Sequence, residues 1–463
     1  MAGETIRAAE TVNDVTGLNP IEVTRVVRVT TEEDVRRALR YADERGLPVS
    51  MAGARHSQGG HTGARDGIVL DMSAYDRVLA VNAERRVMRV QAGATWADVQ
   101  AAVNPLGLAV AVMQSSNIFT VGGSIAVNAH GRDPRYGPVL DTVTEIRVML
   151  ASGRVVEVSR RRQPKLFEAM VGSYGLIGVI LEAELQLVGN ATLEKRVESI
   201  DYRDYPDYLR DRIVGRDDVE LHFGRLSIAP GDDFLRDGYV VDHVRVGSPP
   251  ESPPSLKPEA HRFRNRLVFD LSRESDLGKS VRWELQQRVV DPVDERSVAT
   301  RNEAMRPPIR FLERDSDEDA DVLQEYFVPL DRFEPFIDSM RTILAEHDVN
   351  VLNVTLRYLP GFDETALAYA SRNSVAVVLY LNVRADARSL AQARRWTRAL
   401  IDAALDNRGN YYLPYLGFAA RGQFQRAYPD ADRLLEVKNT FDPEHRFQNR
   451  FYRQYLRPRD QGG

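Results

Sequence analysis

From Thr31 the chain sets apolar residues at Val35, Ala38, Leu39 and Ala42, the spacing of one helix face, with Thr31 as its cap and Gly46 as its stop. Beyond Gly46 the period shortens. Leu47 to Met51, Gly67 to Met72 and Val87 to Gln91 are short apolar runs that predict strands, and Gly93-Ala94-Thr95 opens a helix through Val103. Leu108 to Met113 reads as another buried strand. Ser152-Gly153 separates two alternating runs, Glu145 to Leu150 and Val155 to Val158, which predicts a hairpin. Gly172 to Gly178 then leads into a strand over Val179 to Leu187. Residues 1–190 therefore predict one α+β unit, with several glycine-rich strand ends facing a common region.

The middle of the chain has a different rhythm. Strand-like runs at Val322 to Leu330, Val351 to Tyr358 and Val375 to Val383 alternate with helical patterns at Asp331 to Glu346 and Ala387 to Leu405, predicting a second α+β domain on a sheet floor. Ser248 to Pro258 is proline-rich and reads as a surface excursion. With 463 residues, 43% of them hydrophobic, the chain can bury a large core divided between two domains. A net charge of −5 argues against a nucleic-acid partner. No apolar run reaches the roughly 18 residues that suggest a membrane span. The N-terminus lacks the basic and then apolar pattern of a signal peptide, so the expectation is cytoplasmic residence. The absence of cysteine removes disulfides, thiolate nucleophiles, iron–sulfur clusters and cysteine-bound zinc.

Two glycine-bearing loops carry the chemistry. One runs from Met51 to His61 and follows a predicted strand; the other runs from Thr120 to Gly131. Glycines there let backbone N–H groups converge on an anion. No GK[ST] follows and the spacing is not G-x-G-x-x-G, which excludes a triphosphate P-loop and argues against a Rossmann site. A pyrophosphate held by backbone amides, with Arg55 or Ser57 assisting, fits the first loop. His61 reads as a solvated loop histidine, and His56 with His61 has no further ligands in its spacing, so no metal is predicted.

Gly53 to Ser57, Val121-Gly122-Gly123 through His130-Gly131, Gly172 to Gly178, and Asp442-Pro443 through Asn449 together resemble the vanillyl-alcohol oxidase (PCMH-type) FAD-linked oxidoreductases. Order and spacing both fit. Within that superfamily the chain looks most similar to the sugar-alcohol and sugar-lactone oxidases and to the decaprenylphosphoryl-ribose oxidases. The resemblance implies an α+β fold: an FAD-binding domain of two α/β subdomains built from residues 1–190 and 409–463, and a substrate domain, with an antiparallel sheet, over 191–408. It implies FAD contacts at Ala52, Gly53, Ala54, Arg55, His56, Ser57, Gln58 and Gly59, and at Gly93 and Ser115. It adds Thr120, Gly122, Gly123, Ser124, Ala126, Val127, Asn128 and Gly131, then Gly175, Gly178, Val179, Ile180 and, from the C-terminal end, Asn449. His56 falls where many members bond the flavin 8α-methyl carbon; decaprenylphosphoryl-ribose oxidases hold FAD without that bond. Thr120 to Ser124 is expected to offer donors to the N1–C2 edge of the reduced ring.

The substrate side rests on strand faces. Two-residue alternation puts Gln324 and Tyr326 on one face and Glu325 on the other, and a different register makes Glu325 the pocket residue. Asn353, Thr355 and Arg357 share a face opposite Leu352, Val354 and Leu356, and either face fits the pocket. Tyr415 stands where the decaprenylphosphoryl-ribose oxidases carry a lysine, and its phenol donates, or takes a proton if its pKa is lowered. His130 lies near the ring by resemblance. Tyr415, His130, Gln324 and Tyr326 are therefore the catalytic candidates. The resemblance implies oxidation of a CH–OH group on a small molecule by hydride transfer to flavin N5, with O2 or another acceptor reoxidising the flavin. C–N oxidation, ring closure and nicotinamide-dependent reduction are the alternatives.

Overall fold

The helix Glu32–Arg45 forms where its spacing predicts it. Thr31 Oγ1 accepts from Asp34 N, Asp34 Oδ2 accepts from Thr31 N, and Gly46 closes the other end at φ 63°. Val35, Ala38, Leu39 and Ala42 are its buried face. The computed structural model describes residues 10–247, 253–257, 273, 275–285, 297–307 and 316–457. Of the proline-rich stretch, residues 248–252 and 258 lie outside them.

Among the described residues two larger sheets, beside the short antiparallel pair Glu10–Val12 and Ile21–Val23, hold the N-terminal part. Arg25–Arg28, Ile68–Asp71 and Val49–Ala52 pair in parallel, with Ile68–Asp71 central. A six-stranded antiparallel sheet follows, with five strands in the order Val155–Val158, Val143–Met149, Val179–Gly189, Val87–Gln91 and Val78–Asn82. It contains the predicted hairpin, Met149 opposite Val155. Leu108–Val110 pairs onto Val179–Gly189, and the rest of that apolar run continues as buried loop.

Among the described residues a third, eight-stranded antiparallel sheet spans the middle of the chain. Its order is Val298–Thr300, Thr192–Asp201, Asp237–Gly247, Val219–Leu226, Val351–Leu359, Ser374–Arg384, Asp319–Pro329 and Asn410–Tyr411. The helices Phe333–Glu346 and Ala387–Asp406 pack on one face through residues such as Phe336 and Trp396. The mixed helices and sheets are the α+β architecture that the sequence implies.

Buried ion pairs join the parts. Arg301, fully buried, reaches Asp133 at 2.9 Å and Glu220 at 2.5 Å, and donates to the carbonyls of Val110 and Ala111. Lys438 and Asp442, also fully buried, pair at 2.6 Å while the ammonium donates to the carbonyls of Leu176 and Phe447. The C-terminal segment is thereby locked onto the N-terminal part, where Phe447 also bridges to Val49.

Candidate functional site

The first glycine loop leaves the end of strand Val49–Ala52 and passes the second so closely that only glycine fits. A Cβ on Gly53 would stand 2.2 Å from Thr120 Oγ1, and one on Gly122 2.7 Å from the Ala92 Cβ. Between the loops lies a cavity of about 1300 Å³ counted with its open mouth. Ala52, Gly53, Ala54, Arg55, His56, Ser57 and Gln58 line it, as do Thr120, Gly122, Gly123, Ser124, Ala126, Val127, Gly175, Gly178, Val179 and Ile180. Gln58 ties the loop to its surroundings: its Oε1 accepts from Leu323 N at 2.7 Å, and its N–H donates to Pro414 O at 2.7 Å.

The lining suits a large polar cofactor. The backbone N–H groups of Ala54, Arg55 and Ser57 have no acceptor among the described residues. Both ring nitrogens of His61, the Thr62 hydroxyl and the Ser173 hydroxyl are buried in the lining without a hydrogen-bond partner. Unpaired polar groups inside a protein are costly unless a ligand satisfies them. These are the donors and acceptors that a dinucleotide such as FAD would engage.

Several expectations need correction. Val121–Ala126 is a short helix rather than a loop, capped by Thr120 Oγ1 on Gly123 N, and the Val121, Gly122 and Ser124 N–H groups donate to Ala94, Ala92 and Thr120 carbonyls. These four amides are already used. The Arg55 guanidinium pairs with Asp71 at 2.9 Å instead of standing free for a phosphate. His61 is no solvated histidine: it is 8% exposed, lies 5.4 Å from the Tyr174 ring and 5.7 Å from Phe451, and burial, with the Arg450 charge, holds its pKa down at about 3.

Other residues expected at FAD stand behind the lining. Gly59 packs against His61 and the Tyr415 carbonyl, Gly93 against the carbonyls of Met72 and Tyr75, and Gly131 against Met113 O. Asn128 turns the chain at φ 47° and accepts from Leu140 N. Asn449 donates to Tyr174 O at 2.8 Å, so it supports a cavity residue from outside. Ser115 is half-buried beside Gln114, which does reach the cavity.

At the sheet end of the cavity the register decides the chemistry. Strand Asp319–Pro329 turns Leu323, Glu325 and Phe327 toward the flavin-binding part, shown by Leu323 in the lining, Glu325 on His130, and Phe327 against the His130 ring at 5.4 Å. Gln324 and Tyr326 consequently point to the opposite side, where Tyr326 packs 5.7 Å from Phe336 of the covering helix. The structure does not bring these two catalytic candidates to the cavity. It sets Glu325 directly behind the lining residue Tyr415 instead: the carboxylate is 1% exposed, with Oε1 2.6 Å from His130 Nε2 and Oε2 accepting from the Tyr415 hydroxyl at 3.2 Å, and neither Glu325 nor the catalytic candidate His130 is itself in the lining.

Full burial alone would raise the Glu325 pKa, but the neighbouring His130, the Arg357 charge and the Tyr415 hydroxyl outweigh it and hold the carboxyl below its usual range. Tyr415, which lines the cavity, shifts the other way: burial and the Glu325 charge push its phenol well above its usual value. It serves as a hydrogen-bond donor and not as a phenolate base. Of Asn353, Thr355 and Arg357, each is half-buried, while Leu352, Val354 and Leu356 are buried; the polar face is the one shared with Glu325.

Residues 23–159 match the family described as an FAD binding domain. An uncharacterized oxidoreductase, ORF5 of the fasciation locus of Rhodococcoides fascians, is 31% identical over 234 residues, 49% of this chain and 51% of its own. Cytokinin dehydrogenase 3 of Arabidopsis thaliana is 27% identical over 50% of this chain and 44% of its own. L-gulonolactone oxidase of Bos taurus is 29% identical over 36% and 38%. The chain thus spans about half the length of the curated relatives it matches, or less. Among the described residues no helix is long and apolar enough to cross a membrane. Over the cavity loops the chain thus carries the FAD-binding domain of the PCMH-type FAD-linked oxidoreductases, and its relatives are oxidoreductases.

Proposed function

We propose that the protein is an FAD-dependent enzyme that oxidises a CH–OH group of a small molecule, with residues 1–190 and 409–463 holding FAD and 191–408 covering the substrate. The observation that carries this reading is the Glu325–His130–Tyr415 cluster, in which Tyr415 lines the cavity and Glu325 and His130 stand behind it. FAD bound there supplies the hydride acceptor, with O2 as the reoxidant.

The side chains manage the proton. His130 Nε2–H donates to Glu325 Oε1 and keeps the carboxylate charged and oriented. Tyr415 presents its oxygen to the cavity and its proton to Glu325 Oε2, so a substrate hydroxyl gives its proton to the Tyr415 oxygen as the phenolic proton passes to Glu325. With its pKa raised, the phenol never stands deprotonated between turnovers. Leu323, Phe119 and Tyr412 in the lining keep water from this end.

His56 is the proposed attachment point for the flavin. Its ring lines the cavity and stands edge-on to Phe119, centroids 4.9 Å apart, which limits its rotation. The test takes purified protein through acid precipitation and then mixes the native yellow protein with sugars, polyols, secondary alcohols, amines and NADPH. Colour retained in the pellet and bleaching by an alcohol support both readings. Bleaching by amines or NADPH alone overturns the alcohol reading, and colour left in the supernatant overturns the covalent one.

A further inference from the structure

Cross-strand pairing sets Glu325, Val378, Thr355 and Arg225 in one row across the third sheet. Residues two positions along each strand share that face, which adds Asn353 and Arg357. Arg132, just after His130-Gly131, reaches the same region: its guanidinium and that of Arg225 lie 5.5 and 5.7 Å from the Phe223 ring centroid. Three half-buried arginines thus gather beside the proposed proton-transfer cluster.

The fold meets these charges only in part: Arg357 acts on the Glu325 carboxylate without forming an ion pair with it. Arg132 donates to a neutral oxygen, Ala304 O, at 2.6 Å, and Arg225 donates to Asn353 Oδ1. The buried Nε of Arg357 has no hydrogen-bond acceptor. No carboxylate among the described residues forms an ion pair with any of the three. Arg301 shows the contrast, since Asp133 and Glu220 both meet it. Burial, with the charges of Arg357, Arg225 and Arg301, brings Arg132 down to about 9, far below where a guanidinium ordinarily titrates. Like charges removed from water and left unpaired are unfavourable, and an anion is the remedy. Planar guanidinium forks suit the oxyanions of carboxylate and phosphate.

We propose that the substrate carries a carboxylate or phosphate group, held by Arg225 and Arg357 with Arg132 alongside, while its hydroxyl-bearing carbon points to Tyr415. This rests on the oxidoreductase reading and names its substrate class.

The test is calorimetric titration of the purified, flavin-loaded full chain with phenylacetate, phenyl phosphate and the neutral phenylacetamide, none of which carries an alcohol to oxidise. The expected result is that one anion binds roughly tenfold or more tightly than the amide, as a charged hydrogen bond implies. Which anion wins separates carboxylate from phosphate. Arg225→Gln and Arg357→Gln should each erase most of that preference while melting like the parent. Equal affinity for amide and anions, no anion binding at millimolar concentration, or a preference intact in both variants overturns the proposal. Should one variant fail to fold, the other and the parent comparison decide. Flavin content and bleaching of the same sample by an alcohol report separately on the oxidoreductase reading.

Discussion

Glu325 Oε1 lies 2.6 Å from His130 Nε2, with the two side chains 1% and 2% exposed. The histidine follows the cavity-lining helix Val121–Ala126 and the carboxylate sits on the eight-stranded sheet, 195 residues away in the chain. Their contact fixes how the two parts meet. It also leaves Glu325 Oε2 for the Tyr415 hydroxyl, so a single carboxylate links the N-terminal part, the sheet and the C-terminal segment.

Glu325→Gln keeps the shape and removes the proton acceptor, so the turnover rate with an alcohol substrate should fall about 10²–10⁴-fold at unchanged flavin content. Tyr415→Phe should cost less, and the double variant little more than Glu325→Gln, because both act on one proton. In the parent, the rate should decline as pH drops through the lowered Glu325 pKa, below the ordinary carboxyl range. Stopped-flow bleaching of the flavin measures all of these. Full activity in Glu325→Gln would remove the relay.

His56→Ala should release the flavin into the supernatant on acid precipitation while the native variant still binds FAD through its loop amides. Absorbance of pellet and supernatant reads this directly. A variant whose flavin stays with the denatured chain places the bond elsewhere.

The helix Glu32–Arg45 was legible because its cap, apolar spacing and stop are all local. Strand Asp319–Pro329 was legible as a strand, but its faces were not: from Gln324 to Pro329 every residue is buried, so alternation carries no sign of which side meets the cavity. The register comes from Leu323 N on Gln58 Oε1, a partner 265 residues away. Thr120 to Ser124 read as a loop because two glycines hide a helix that its Thr120 cap announces. The burial of His61 depends on Tyr174 and Phe451, far along the chain, and no local pattern encodes it.

Two glycine substitutions should act in opposite directions. A Cβ at Gly93 would stand 1.9 Å from Met72 O and 2.7 Å from Tyr75 O, both backbone atoms that have little room to move. Gly93→Ala should cost about 1–3 kcal/mol or prevent folding. At Gly422, in the helix Arg421–Ala427, an added Cβ meets nothing within 4 Å. Gly422→Ala should stabilise by about 0.5–1 kcal/mol. Thermal melts of both against the parent check the pair, and a stable Gly93→Ala would show that this turn is looser than described.

Two buried histidines should make the fold sensitive to mild acid. Burial, then the Arg450 charge, holds His61 at about 3; burial, then the Arg132 charge, holds His243 at about 3. In the unfolded chain both titrate near 6.5. Between those values the unfolded state binds protons that the folded state refuses, so stability rises with pH across the window and is lost as pH falls from about 6.5 toward 3. Each histidine contributes roughly 1.4 kcal/mol per pH unit well inside it. Urea unfolding at pH 5.5 should therefore give a free energy about 2–3 kcal/mol below that at pH 7.5, before the ordinary carboxyls begin to protonate. His243→Gln, which stands outside the flavin cavity, should remove about half of that difference. A free energy that is flat between the two pH values would mean that His61 and His243 gain protons in the folded state, and that water or an acid reaches both rings.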